Sequence, residues 1–411
     1  TGVQMAEQME VEQKALVASP PKIKADDDAE NEGLWMKLAD LRFRVANRKG
    51  NTEARDKDWA EFLEIAKKFN AVAVYEAACK DAGLPQDAKL LEQMRADVAS
   101  RIKEVDDAIK DAKENEGDME VRDGMMAKAQ ILARTSDKDT AVAAYAEAAA
   151  LPKTTSSQKL DIEFHLMRLG LFWNDIPMLD AHVQASQTLV DNGGDWERRN
   201  RLKVYEATYR LAVRDFKKAA TLLLDSISTF TATELYGYSR FVFFTVVCAT
   251  VSLDRGTIRK KVIHAPEILQ VIDENPEIRE LMNSLYGCKY RDYLVALVAV
   301  VDQLQLDRYL APHAAFFLRQ ARIVAYKQYL ESYFTVSLPS MASTFGVGQE
   351  FLDKELSDLV ACGRLSCKID KVKGVVESNR PDTRNALYQQ TIKQGDLLLN
   401  RVQKLSRVIT I

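Results

Sequence analysis

Apolar positions recur every three or four residues along most of the chain, the spacing of helices that bury one face. The clearest instance is AKLLEQMRADVASRIKEVDDAIKDAKENEG, where Leu91, Met94, Val98, Ile102, Val105 and Ile109 mark a narrow seam between charged flanks. The pattern predicts one long helix over 88–115, stopped at Glu116 and Gly117, and a narrow seam of this kind suits a helix that braces a neighbouring subunit. Farther on, ILARTSDKDTAVAAYAEAA (131–149), LGLFWNDIPMLDAHVQASQ (169–187) and LAVRDFKKAATLLLDSIST (211–229) each set a polar turn between two helices. With the turns aligned at Lys138, Asp175 and Asp215 the spacings are 37 and 40 residues. A period of that size, with alanines where helices approach closely, predicts degenerate tetratricopeptide-like units stacked as a solenoid. Further helices follow, cut by Gly256, Pro266 and Pro276, and RDYLVALVAVVDQLQ is apolar over most of its surface, which predicts burial on several sides.

After Tyr333 the period changes. TVSLPSMASTFG reads as a short strand and a short helix, GVGQEFLDKELSDLVACG as a turn and a longer helix over 350–364, and GRLSCKIDKVKGVVESN as a β-hairpin. Helix, strand, helix, helix, hairpin is the order of a winged helix. From Asp382, a plausible N-cap after Pro381, a last helix runs to the end with Leu398, Val402, Leu405 and Ile409 at steps of four, three and four. The chain therefore divides into 1–33, an acidic tail with eight acids and three lysines that reads as disordered; 34–117, N-terminal helices; 118–230, helical repeats; 231–380, helices leading into a winged helix at about 335–380; and 381–411, a terminal helix. The fold class is mostly α.

Composition narrows the functional classes. With 57 Lys+Arg against 60 Asp+Glu, the formal net charge is -3, so no global basic field draws the chain to nucleic acid or an anionic membrane. The recognition helix has the wrong sign for a groove, with Glu350, Asp353, Glu355 and Asp358 against Lys354 and Arg364. Five scattered cysteines, none spaced C-x-x-C, fit reduced thiols in a cytosolic or nuclear protein. The longest apolar run, FVFFTVVCATV, is short of the roughly 20 residues that span a bilayer. The four histidines form no zinc motif, and no phosphate loop, nucleophile elbow or dinucleotide fingerprint occurs. No cofactor, metal or catalytic residue is expected.

The terminal helix carries Arg384, Lys393, Arg401, Lys404 and Arg407 against one acid, Asp396. Its regular steps, without Trp or Phe, favour a bundle with other chains over a membrane surface; an apolar end folded back on its own domain is the other reading.

Helix pairs running into a winged helix and a helical tail resemble the PCI architecture shared by the proteasome lid, the COP9 signalosome and translation initiation factor three. The stretches GGDWERRNRLKVYEATYRLAVRDFKKAATLLLDSISTFT (193–231), FGVGQEFLDKELSDLVACGRLSCKIDKV (345–372) and GDLLLNRVQKLSRVI (395–409) resemble PCI-domain lid subunits of the 26S proteasome regulatory particle. The likeness runs from about Leu38 to the end. It implies a non-catalytic scaffold in ubiquitin-dependent degradation, cytoplasmic and nuclear, within a hetero-oligomer of other lid PCI subunits, the lid helical bundle and the ATPase base. It further implies that winged helices pair through sheet edges, here Leu365, Cys367, Ile369, Val375 and Val376, and that terminal helices gather in a bundle, here through Leu398, Val402, Leu405 and Ile409. The H-x-H zinc motif of the lid's deubiquitinating activity is absent from this sequence. A paralogous signalosome scaffold is the alternative, and a nucleic-acid-binding winged helix a more distant one.

Overall fold

The structure is a computed structural model that describes residues 29–48, 52–115, 117–135, 138–151, 154–193, 195–379 and 383–409. Asp382 and Pro381 lie outside the described residues, as does the tail before Ala29. Among the described residues, nineteen α-helices and one three-stranded sheet form two compact units, the first running to Arg279 and including Ala299–Phe317, the second comprising Glu280–Val298 and Leu318 onward.

In the first unit, α1 (Ala29–Asn47) packs on α2 (Thr52–Phe69), with α3 (Val72–Ala82) beside it. The long helix α4 is Ala88–Asn115 and packs on α5 (Asp118–Thr135). Its seam is covered by its own chain: Leu91, Met94, Val105, Ile109 and Ala112 are buried. Gly124 on α5 makes this possible, since a Cβ there would lie 2.8 Å from Ile109 Cγ1. The seam therefore serves this fold along most of its length, with Val98 and Ile102 half-buried between its two ends.

Successive helices then pair: α5 with α6 (Lys138–Ala149), α7 (Ser156–Trp173) with α8 (Ile176–Asp191), and α9 (Trp196–Ala212) with α10 (Phe216–Ser226). The turns fall where the sequence set them, and two share one construction. Asn174 (φ 56°) and Arg214 (φ 69°) adopt left-handed backbone, and the aspartate that follows each caps the next helix. Asp175 accepts from Met178 N at 3.1 Å and Asp215 from Lys218 N at 3.2 Å. An ion pair from Lys138 to Asp175 ties two successive turns together.

Beyond α10 come α11 (Tyr238–Ser252), α12 (Arg255–Ile258), a π-helical turn (Arg259–Ile263), α13 (Pro266–Leu269) and α14 (Pro276–Tyr286). Helices α15 (Tyr290–Gln305) and α16 (Ala314–Ser332) follow. Helix α15 buries Tyr293, Leu297, Val300, Val301 and Leu304 but leaves Val295 and Val298 exposed. Periodicity reports how apolar a face is, not whether the fold supplies a partner for it.

The second unit contains the winged helix. Strand β1 (Thr335–Ser337), α17 (Leu338–Phe345), α18 (Gln349–Ala361), β2 (Cys367–Asp370) and β3 (Val375–Ser378) occur in the predicted order. The sheet order is β1-β3-β2, both pairings antiparallel, with Val336 opposite Val376 and Val376 opposite Ile369. Its core joins Leu352, Leu356, Leu359, Leu365 and Val376 to an aromatic cluster in which Phe345 lies 4.8 Å from Tyr290 and 5.0 Å from Tyr326. The final helix α19 is Thr383–Ile409.

Candidate interaction surfaces

Helix α19 is 27 residues long, about 40 Å at 1.5 Å per residue, and every described residue in it is exposed. Leu398, Val402, Leu405 and Ile409 are between 57% and 74% exposed, and Leu387, Tyr388, Ile392, Leu397, Leu399 and Val408 are exposed with them. The reading in which this end folds back on its own domain is thus not the arrangement found. An isolated helix gains little in water and takes its stability from packing an apolar face. Each large apolar side chain it buries contributes about 1.5–3 kcal/mol, so the four seam residues offer on the order of 6–12 kcal/mol before the costs of association.

The winged-helix edge needs correcting. Because β3 is the central strand, both of its sides are already paired, and Val375 and Val376 offer no free edge. Leu365, Cys367 and Val376 are buried in this unit's core, and Ile369 and Val375 are half-buried. The edges of the sheet are β1 and β2, so a further strand would meet the backbone of Cys367–Asp370 or Thr335–Ser337 rather than the side chains named from sequence. The hairpin between β2 and β3 is set by Asp370, whose Oδ1 accepts from Val372 N (2.9 Å) and Lys373 N (3.1 Å), and by Gly374 at φ 65°.

On α18, two of the four acids are engaged within the unit. Glu355 forms an ion pair with Arg322, Nε at 2.8 Å, and accepts from Tyr326 Oη at 2.7 Å, and Lys371 reaches Asp353 at 3.2 Å. Burial first, and then the Glu355 carboxylate, push the Tyr326 phenol well above its ordinary range. Glu350, Lys354 and Asp358 remain exposed, a surface of mixed sign with no cationic stripe for phosphates.

Sequence reading missed the buried charge clusters of the first unit. Residues 29–33, assigned to the acidic tail, are the first turn and a half of α1, and Glu32 is buried between Arg134 (2.9 Å) and Arg168 (3.0 Å). Burial alone would raise the Glu32 carboxyl, but the two guanidiniums outweigh it and hold it below its usual range. Arg168 Nη2 also donates to His165 Nδ1 at 2.5 Å, and burial, then Arg168, holds that imidazole well below its ordinary pKa. Beside them Glu234 accepts from Arg201 (2.6 Å) and from Tyr205 Oη (2.9 Å). Eight residues along α1, Asp40 pairs with Arg240 and with Arg308 at 2.9 Å, and Arg240 also reaches Asp307 at 2.6 Å. Trp35 stacks on Phe172 at 4.1 Å between the two clusters along α1. These acids are matched by arginines, and their evident work is to fasten α1. The sole local signal was that Glu32 and Asp40 sit on one face at a two-turn interval; their partners lie more than 100 residues away.

Among the described residues, no group of three His, Cys, Asp or Glu side chains is placed to hold a metal ion, and no helix is long and apolar enough to cross a membrane.

Comparison with known proteins finds matches along most of the chain. A family model described as 26S proteasome subunit RPN7 matches residues 87–261, the PCI domain matches 292–380, and the RPN7/PSMD6 C-terminal helix matches 388–409. The 26S proteasome non-ATPase regulatory subunit 6 of Oryza sativa is 47% identical over 351 residues, 85% of this chain and 90% of that protein. The subunit 6 of Dictyostelium discoideum is 43% identical over 91% of this chain and 97% of its own length. The regulatory subunit RPN7 of Saccharomyces cerevisiae is 37% identical over 79% and 76% respectively. On these matches, which take in the winged helix and the exposed final helix alike, the chain belongs to the family of the 26S proteasome regulatory subunit RPN7, also called non-ATPase regulatory subunit 6.

Proposed function

We propose that this chain is a non-catalytic structural subunit of the lid of the 26S proteasome regulatory particle, scaffolding the lid for degradation of ubiquitin-tagged proteins. The observation that carries the reading is α19, a 27-residue helix whose apolar stripe is exposed among the described residues. It enters a helical bundle with other lid subunits, and the backbone edge at β2 is the place for a neighbouring PCI sheet to add on. The buried acids Glu32 and Asp40 are matched by arginines and so have a structural account. Cytoplasmic and nuclear placement belongs to the same reading, and the free cysteines fit it.

The test is affinity capture of the tagged chain from its native cells, followed by native mass spectrometry of the intact assembly. The expected particle contains the ATPase ring or the proteolytic core. An eight-subunit particle lacking both would replace the lid with the signalosome, and a free chain retaining nucleic acid would remove the scaffold reading altogether.

A further inference from the structure

Between α11 and α14 the chain makes a π-helical turn, Arg259–Ile263, closed by His264 N donating to Arg259 O at 3.2 Å. Such turns are rare and concentrate at functional positions. This one has an unusual charge. Arg255, Arg259, Lys260 and Lys261 fall within seven residues, and His264 follows. Arg259, Lys260, Lys261 and His264 are all exposed.

The cations of this turn differ from those in the unit's interior. Arg134, Arg168, Arg201, Arg240 and Arg308 each meet a carboxylate, whereas among the described residues Arg259, Lys260 and Lys261 form no salt bridge. The nearest acid in sequence, Asp254, is occupied: its carboxylate accepts from Gly256 N (3.1 Å), Thr257 N (3.2 Å) and Thr257 Oγ1 (2.6 Å), capping α12. Arg259 Nε points to His264 Nε2 at 3.4 Å, which keeps the guanidinium at the surface. Helix α13 packs against the turn and presents Leu269, 51% exposed, at its end. Val262 and Ile268 anchor the two pieces in the core, so the charges stand on a fixed base.

We infer that this basic turn is a docking site for an acidic segment of another protein, one that sets carboxylates against Arg259, Lys260 and Lys261 and an apolar side chain against Leu269. Charge complementarity selects the partner, because unpaired cations at one place attract a run of acids and repel other basic surfaces. A protein segment fits better than nucleic acid. The patch holds a handful of cations, too few for an extended phosphate backbone, and Leu269 gives an apolar contact that phosphates cannot use. The turn belongs to the first unit and β2 and α19 to the second, and the inference uses neither of those elements, so it stands or falls apart from the lid assignment.

Zero-length carbodiimide coupling tests it, since that reagent joins a lysine amine only to a carboxylate in direct contact. Applied to the assemblies captured with the full chain from native cells, it is expected to join Lys260 or Lys261 to an acid-rich stretch of a different protein. Arg259→Glu, which leaves both lysines in place, should lower that coupling at least about five-fold, and Arg259→Lys should not, while 0.5 M salt during coupling should suppress it. The inference is overturned if the two lysines couple only to this chain's own carboxylates such as Asp273 and Glu274. It is equally overturned if they stay uncoupled while exposed Lys67 and Lys103 react, or if ultraviolet irradiation joins them to nucleic acid.

Discussion

Helices α4 and α19 are near twins in sequence texture and opposites in the fold. They have 28 and 27 residues, a narrow apolar stripe and charged flanks. The stripe of α4 is buried against α5, where Gly124 lets Ile109 approach, whereas that of α19 meets solvent from Leu387 to Ile409. An amphipathic pattern specifies that a helix needs a partner, and says nothing of whether the same chain provides it. Part of the difference lies next door in sequence: α4 is followed after a short break by α5, whose Gly124 lets Ile109 approach, while among the described residues no helix packs on the stripe of α19.

That contrast predicts separable consequences for assembly and stability. The largest effect is expected from Leu398→Asp, Val402→Asp and Leu405→Asp together. Incorporation into the large particle should be lost, while the melting temperature of the isolated chain stays within about 2 °C, because Leu398, Val402 and Leu405 are exposed among the described residues. A large loss of the isolated chain's helical circular dichroism would show that α19 packs internally. The mirror experiment is Met94→Ala or Ile109→Ala in α4, each expected to destabilise the isolated chain by about 2–5 kcal/mol in denaturant unfolding. Incorporation should then fall only as far as the folded fraction falls.

A smaller effect comes from the charge cluster that fastens α1. Burial and Arg168 hold His165 unprotonated in the fold, so its folded pKa lies below the unfolded value near 6.5. The stability this provides is complete above about pH 6.5 and declines as pH falls from there toward the folded pKa. Thermal melts between pH 7.5 and 5 should therefore show a decline that is shallower in His165→Gln; parallel curves would remove His165 as the source. The smallest effect belongs to the outer face of α4. Lys110 pairs with Asp107 at 3.0 Å, both side chains more than 70% exposed, and Lys110→Ala should leave the melting temperature unchanged within measurement.

What the sequence revealed was what is local. Asp175 and Asp215 were legible as turns because a capping aspartate acts on backbone N–H groups three residues away. The hairpin was legible because its turn lies between its own strands. The sheet order was not, since β1 reaches β3 across some 40 residues, Val336 to Val376, and that pairing turns Val375 and Val376 from an edge into the middle. Ala29–Gly33 reads as a solvated tail until Arg134 and Arg168, far along the chain, are seen around Glu32. The tetratricopeptide-like period found its helix pairs and two matching turns, which establishes paired helices without fixing the repeat class.

The anchoring of α1 also bears on how the protein is made. Asp40 leaves the ribosome early, yet one of its partners, Arg308, is synthesised 268 residues later. At 5–20 residues per second that interval is roughly 13–54 s. Throughout it, the first helix has a carboxylate without its full set of counter-charges, and the unit cannot close. A nascent chain stalled before Arg308 clears the exit tunnel should leave α1 open to protease, and one stalled well beyond Phe317 should protect it. Helix α1 is thus secured only late in synthesis, and the newborn subunit passes through the period when a holding chaperone has most to cover.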